Sequence, residues 1–241
     1  MSHGVDPSRP QPRLTPDGRR MREVLTYARR GSRLTDGQQQ AWDRRHAEWW
    51  VPSAVADEPS YDLRSAFGRD APLVVEIGSG VGETTAALAA AYPEWNVLAF
   101  EVWLPGVAQT MLRLEQVGAD NARLCSLDAV WAFEHLLADE SLAELWTFFP
   151  DPWPKARHHK RRLVQPAFAA VAARRLEVGA AWRLATDWPE YADAMRAVLD
   201  DEPRLTGGEV ERWSERPLTR FERRGLEAGR PITDLCYRRE A

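Results

Sequence analysis

Long apolar runs, cysteine and lysine are what this chain has least of. No stretch approaches the roughly 18 consecutive apolar residues that a bilayer-spanning helix requires. The N-terminus also lacks the apolar core of a secretory leader, which points to a cytoplasmic protein. The two cysteines, Cys125 and Cys236, stand far apart in strand-like runs and are expected as buried reduced thiols, not as a disulfide or a metal pair. His158 and His159 are adjacent, so their side chains diverge. No Cys or acid at ligand spacing accompanies them, and no metal site is expected. Lys155 and Lys160 are the only lysines, so all but two of the 32 cationic side chains are Arg. A GC-rich coding sequence produces such a bias by itself, so the placement of the arginines carries more than their number.

That placement is uneven. The 241 residues are 44% apolar, enough for one α/β domain, and carry a formal net charge of −4. The mean hides a basic segment at residues 1–33, where eight Arg face only Asp6, Asp17 and Glu23. A second cluster is Arg157, Lys160, Arg161 and Arg162, and eight further Arg lie between Arg212 and Arg239. Residues 1–25 are expected as a disordered basic arm, with a single domain over 26–241.

From residue 73 the pattern alternates short apolar runs with helical stretches. Strands are expected at 73–78, 96–102, 123–128, 144–149 and 182–186. Helices are expected at 35–50, capped by Thr35 or Asp36, and at 83–91, 105–117, 130–138, 165–177 and 191–200. Two more strands, at 209–213 and 232–238, have no clear helix between them and must run antiparallel to each other. The fold class is therefore α/β: a doubly wound, mostly parallel seven-stranded sheet with an antiparallel C-terminal strand.

Glu76-Ile77-Gly78-Ser79-Gly80-Val81-Gly82 follows the first strand and opens a helix. The glycines allow a close approach of backbone to ligand. Glu83 stands where a dinucleotide fingerprint wants its third glycine, and an acid there repels a pyrophosphate. Glu101 and Asp128 end the second and third strands, suited to the ribose hydroxyls and the amino group of an adenosine. Acids at three successive strand ends favour S-adenosylmethionine over a nicotinamide cofactor. The fourth strand runs into Pro150-Asp151-Pro152-Trp153-Pro154-Lys155. This segment is stiffened by its prolines and sits beside the glycine loop, because the first and fourth strands flank the switch point of such a sheet. Asp187 is open to two readings, a helix cap or a substrate contact. Thr219 to Glu222 is likewise open to being a capping box, a substrate contact or both.

Residues 148–162, Phe-Phe-Pro-Asp-Pro-Trp-Pro-Lys-Ala-Arg-His-His-Lys-Arg-Arg, resemble the signature of the bacterial tRNA (guanine-N7)-methyltransferases. The resemblance extends through residues 29–39, 76–82, Glu101, 126–129, 185–188 and 219–225, colinear over almost the whole of 26–238. Ser79 and Leu127 depart from the family's usual residues without removing a chemical group. The resemblance implies a class I methyltransferase with a Rossmann-like fold, acting on a variable-loop guanine of tRNA, as monomer or homodimer and without a metal. It assigns Glu76, Gly78, Gly80, Glu101, Asp128 and Asp151 to S-adenosylmethionine, and Asp151 also to catalysis. It assigns Lys155, Arg157, His158, His159, Lys160, Arg161, Arg162, Asp187, Thr219, Arg220, Phe221 and Glu222 to tRNA. Methylation of another RNA nitrogen, or a non-catalytic RNA-binding module on the same fold, are the competing readings.

Overall fold

The computed structural model describes residues 26–27, 31, 33–58 and 61–241; the basic arm expected at 1–25 lies outside the described residues. The first helix, α1 (Asp36–Trp49), starts at a reciprocal capping box, in which Thr35 accepts from the Gln38 N–H and Gln38 accepts from the Thr35 N–H. Trp49 is buried at its end, and Val51 then donates to the Leu124 carbonyl at 2.8 Å, tying the helix to the sheet.

The sheet follows: β1 (Leu73–Ile77), α2 (Glu83–Ala91), β2 (Asn96–Phe100), α3 (Leu104–Val117), β3 (Ala122–Cys125), α4 (Ala129–His135) and β4 (Leu142–Phe148). After a 3₁₀ turn over Ala156–Arg161 come α5 (Pro166–Arg175), β5 (Leu176–Thr186), α6 (Pro189–Asp200), β6 (Leu205–Val210), α7 (Arg220–Glu227) and β7 (Thr233–Arg239). The strand order is β3-β2-β1-β4-β5-β7-β6. β1 to β5 are parallel, and β7 runs antiparallel to both neighbours. The expected doubly wound sheet is therefore present, with its switch point between β1 and β4.

Alternation along each strand sends residues to two cores. Val74, Val97 and Ala99 pack with Leu88 of α2 and Met111 of α3. Val75, Leu98 and Phe100 pack with Phe133 of α4, Phe168 of α5 and Met195 of α6. With both faces covered by helices, a crevice opens at the C-terminal strand ends, beside the switch point.

Three expectations need correction. β6 spans Leu205–Val210, not 209–213: Gly207 and Gly208 read as a turn, yet a side chain at Gly207 would collide with the Cys236 carbonyl of β7, so this strand needs glycine to pair closely. β5 begins at Leu176, where a helix was expected to continue to residue 177. After the buried Leu176 the strand is exposed over residues 177–179 and passes through Gly179 at φ +84°. The tail also contains a helix, α7, between strands where no clear helix was expected beyond the possible capping box at Thr219 to Glu222. Its sequence, RFERRGLE, is short and rich in charge, with Phe221 and the buried Gly225 turned away from Arg220, Arg223 and Arg224, and tertiary contacts fix it.

Candidate active site

The glycine loop leaves β1 with Gly78, Gly80 and Gly82 at φ +78°, +62° and +75°. A Cβ at Gly82 would lie 2.5 Å from the Thr110 side chain, and one at Gly106 of α3 would strike the Gly80 carbonyl. Both positions need glycine so that α3 can press against the loop. Gly106 was not legible as part of the site, because a Pro-Gly pair reads simply as a helix start.

Glu101, just past β2, holds the loop in shape: its carboxylate accepts from the Gly80 N–H at 2.7 Å and from the Trp103 N–H at 2.8 Å. Glu76, inside β1, is 3% exposed and accepts from the Thr85 hydroxyl. Burial, which outweighs that hydrogen bond, pushes its carboxyl up to about 7, with the nearby Glu101 adding to the rise. Asp128 is the N-cap of α4, accepting from Val130 N–H at 3.0 Å and Trp131 N–H at 3.3 Å. Its neighbours Leu127 and Ala129 line the cleft.

The cleft has a volume of about 130 Å³ and lies between Gly78, Gly80 and Glu101 on one side and Phe149, Pro150 and Asp151 on the other. Ile77, Phe100, Leu127 and Phe148 supply apolar walls, and no Lys or Arg lines it among the described residues. Thr26 and Tyr27 border it. Trp153 donates its indole N–H to the Thr26 carbonyl at 3.1 Å, and Trp103 donates to the Gly31 carbonyl at 2.6 Å.

The turn bearing Asp151 is built differently from the glycine loop. Phe149 and Trp153 adopt φ +54° and +46°, a region that side chains other than glycine rarely enter. Beneath it, the fully buried Arg216 lies 5.3 Å from the Phe148 ring and 5.4 Å from the Phe149 ring. Arg216 also donates to Glu222 at 2.7 Å and to Asp234 at 2.9 Å. Burial raises the Asp234 carboxyl above its ordinary value against the opposing pull of Arg216.

The remaining predicted residues separate into two groups. Lys155, Arg157 and Lys160 are exposed on or beside the 3₁₀ turn, with His158 and His159 half-buried. Arg161 lies 4.8 Å from the Trp153 ring, covering one face of it, and His158 meets Trp153 edge-on. Desolvation, then the charges of Arg157, Arg161, Lys155 and Lys160, hold His158 below its ordinary value. Arg162 is only 3% exposed and bonded within the protein. Asp187 caps nothing: α6 begins without a side-chain cap, and Asp187 pairs with Arg230 at 2.7 Å. Thr219 does cap α7, accepting from the Glu222 N–H at 3.3 Å, while the Glu222 side chain turns inward to Arg212 and Arg216. Phe221 reaches the cleft beside Gly80, with Arg220 stacked 4.8 Å from its ring. Glu83 anchors this end of α7 by accepting from the Arg220 N–H at 2.8 Å.

A family model described as "Putative methyltransferase" matches residues 70–235. A tRNA (guanine-N(7)-)-methyltransferase of a Nocardioides species is 62% identical over 98% of this chain and 95% of its own. The chain belongs to this methyltransferase family. The Cutibacterium acnes member is 46% identical over 90% of this chain and 84% of its own. A solved structure of an antibiotic-related methyltransferase, 13% identical, shares the fold with a TM-score of 0.51 over 77% of this chain and 94% of that one. Among the described residues no helix is long and apolar enough to cross a membrane, and no cluster of three or more His, Cys, Asp or Glu is placed to hold a metal.

Proposed function

We propose that this protein transfers a methyl group from S-adenosylmethionine to N7 of a guanine in the variable loop of tRNA. The observation that carries the reading is a juxtaposition: Asp151, on a stiff turn, lines the same cleft as Glu101 and the glycine loop, and an exposed basic turn follows directly. The cleft's chemistry fits a cationic adenosine cofactor: it has acids and apolar walls and no basic group among its described lining. A pyrophosphate cofactor would instead meet Glu83 at the start of α2. Glu76, Gly78, Gly80, Glu101, Asp128 and Asp151 are the residues that would hold S-adenosylmethionine, which supplies an electrophilic methyl on a sulfonium.

Guanine N7 carries an in-plane lone pair and no proton, so the protein needs no general base. Its task is to hold the base at near-attack distance, where orientation supplies much of the acceleration. Asp151 accepts hydrogen bonds from the guanine Watson–Crick edge and offsets the positive charge arriving on the ring. N7 faces a groove of A-form RNA too deep and narrow for a protein domain, so the base must be exposed or extruded. With Arg161 on one face of Trp153, stacking on the base is left to the other face. Lys155, Arg157 and Lys160 hold phosphates, and Arg220 and Phe221 face the substrate across the cleft mouth. A cytoplasmic location goes with a tRNA substrate.

The test is to incubate the protein with methyl-labelled cofactor and unmodified tRNA, digest the RNA and identify the labelled nucleoside. Label in 7-methylguanosine at one variable-loop position is expected. Transfer to another nitrogen, or none to RNA, would overturn the reading.

A further inference from the structure

We infer that Arg162, although it ends the basic run, is a positioning residue for the Asp151 turn and not a phosphate ligand. The inference rests on the proposed placement of Asp151 against the reacting base.

The run 157–162 looks uniform in sequence but is not uniform in space. Arg157 and Lys160 are exposed, whereas Arg162 is 3% exposed. Each nitrogen of its guanidinium is committed to a partner within the protein. Nε donates to the Pro152 carbonyl at 2.9 Å, Nη1 donates to Glu190 Oε1 at 2.9 Å, and Nη2 donates to Glu190 Oε2. Its flat face lies 4.7 Å from the Tyr191 ring. A phosphate could reach this fork only by displacing a carboxylate that already fills it bidentately.

The turn has reason to need such a brace. Pro150 and Pro152 have no N–H to offer, and Phe149 and Trp153 hold left-handed backbone that nothing in their own chemistry favours. Phe149 N–H donates to the Ala185 carbonyl at 2.8 Å before the turn, and Arg162 grips the Pro152 carbonyl after it. Arg162 is itself fixed by the first turn of α6. Glu190 holds its fork, and Tyr191, fully buried, accepts from the Val164 N–H at 3.3 Å. The start of α6 thereby sets where the peptide after Asp151 lies. A misplacement of about 1 Å at such a site is enough to cost on the order of 100-fold in rate.

The full-length enzyme decides between the two roles. Single-turnover methyl transfer at saturating cofactor and tRNA is measured beside the tRNA Kd across a salt series, for Arg162→Met, Arg162→Lys, Glu190→Gln and, as a phosphate-contact comparator, Arg157→Met. Arg162→Met is expected to lower the single-turnover rate about 100-fold with the tRNA Kd within about twofold and its salt slope unchanged. Arg162→Lys should recover only part of the rate, because an ammonium cannot reproduce the fork. Arg157→Met should weaken binding and reduce the slope by about one. If Arg162→Met does not fold, Glu190→Gln, altered at a half-exposed side chain, decides: a several-fold slower rate without tighter tRNA binding is expected. A weakened Kd and flattened slope for Arg162→Met at wild-type rate would overturn the inference. So would tighter binding and a steeper slope for Glu190→Gln, or no change in any parameter. Wild-type protein that makes no 7-methylguanosine would remove the functional reading itself, and this role with it.

Discussion

The two walls of the cleft reach similar backbone geometry by opposite means. The cofactor-side wall turns through positive φ at Gly78, Gly80 and Gly82, where no Cβ resists, and is pinned by the carboxylate of Glu101 from the end of the neighbouring strand β2. The substrate-side wall turns through positive φ at Phe149 and Trp153, each costing roughly 1–2 kcal/mol. It is held by guanidiniums from elsewhere in the chain, Arg216 beneath and Arg162 behind. Both walls rest on tertiary contacts, the glycine wall on Glu101 and on α3 at Gly106 and Thr110. The glycine wall has little backbone strain to offset, whereas the other needs buried guanidiniums to hold it, so substitutions of those arginines should reach it.

Three substitutions can break or sharpen that contrast. The largest effect is expected from Arg216→Met, which leaves Glu222 and Asp234, 1% and 6% exposed, without their shared cation. Removing one partner of such a buried cluster costs about 3–5 kcal/mol. Urea denaturation should show that loss, and a folded fraction should transfer methyl slowly because Phe148 and Phe149 lose their support. A loss below about 1 kcal/mol would show that the substrate-side wall does not depend on this arginine. Next is Gly82→Ala, which combines a left-handed φ cost of about 1–2 kcal/mol with the Thr110 clash. Calorimetry should show weaker cofactor binding as well as a lower melting temperature; unchanged cofactor affinity would argue that the loop is not the cofactor wall.

The smallest effect concerns Glu76→Gln and depends on pH. The folded pKa is raised from 4.5 to about 7 by burial, so the folded state holds an extra proton between those values. The contribution of Glu76 to stability therefore falls as pH rises through that window and stays reduced above it. Glu76→Gln should raise the melting temperature relative to wild type at pH 8 and leave it nearly unchanged at pH 4.5, while weakening cofactor binding at pH 8. An equal gap at both pH values would contradict the burial argument.

Legibility in the sequence follows the same division. β1 to β4, the glycine loop and Glu101 could be read because apolar runs, glycine spacing and strand-end acids are local signals. α7 was visible only as a possible capping box at Thr219 to Glu222, because eight residues with Phe221 and Leu226 as their only large apolar side chains are too short a pattern to extend a helix. It is helical because Phe221 enters the cleft, Glu222 meets Arg212 and Arg216, and Gly225 packs on Asp187. β6 was displaced because Gly207 resembles a turn residue until its strand partner is seen. Arg162 looked like its neighbours because residue type does not report burial. Arg216 carried no signal at all among eight C-terminal arginines.

The most direct test of the account is the single-turnover rate of Asp151→Asn at saturating cofactor and tRNA, with both affinities measured on the same protein. The account predicts a fall on the order of 100- to 1,000-fold in 7-methylguanosine formation, the size expected for losing one preorganised electrostatic partner. Cofactor and tRNA affinities should change far less than the rate. A variant that folds, binds both ligands and methylates guanine N7 at near the wild-type rate would contradict it.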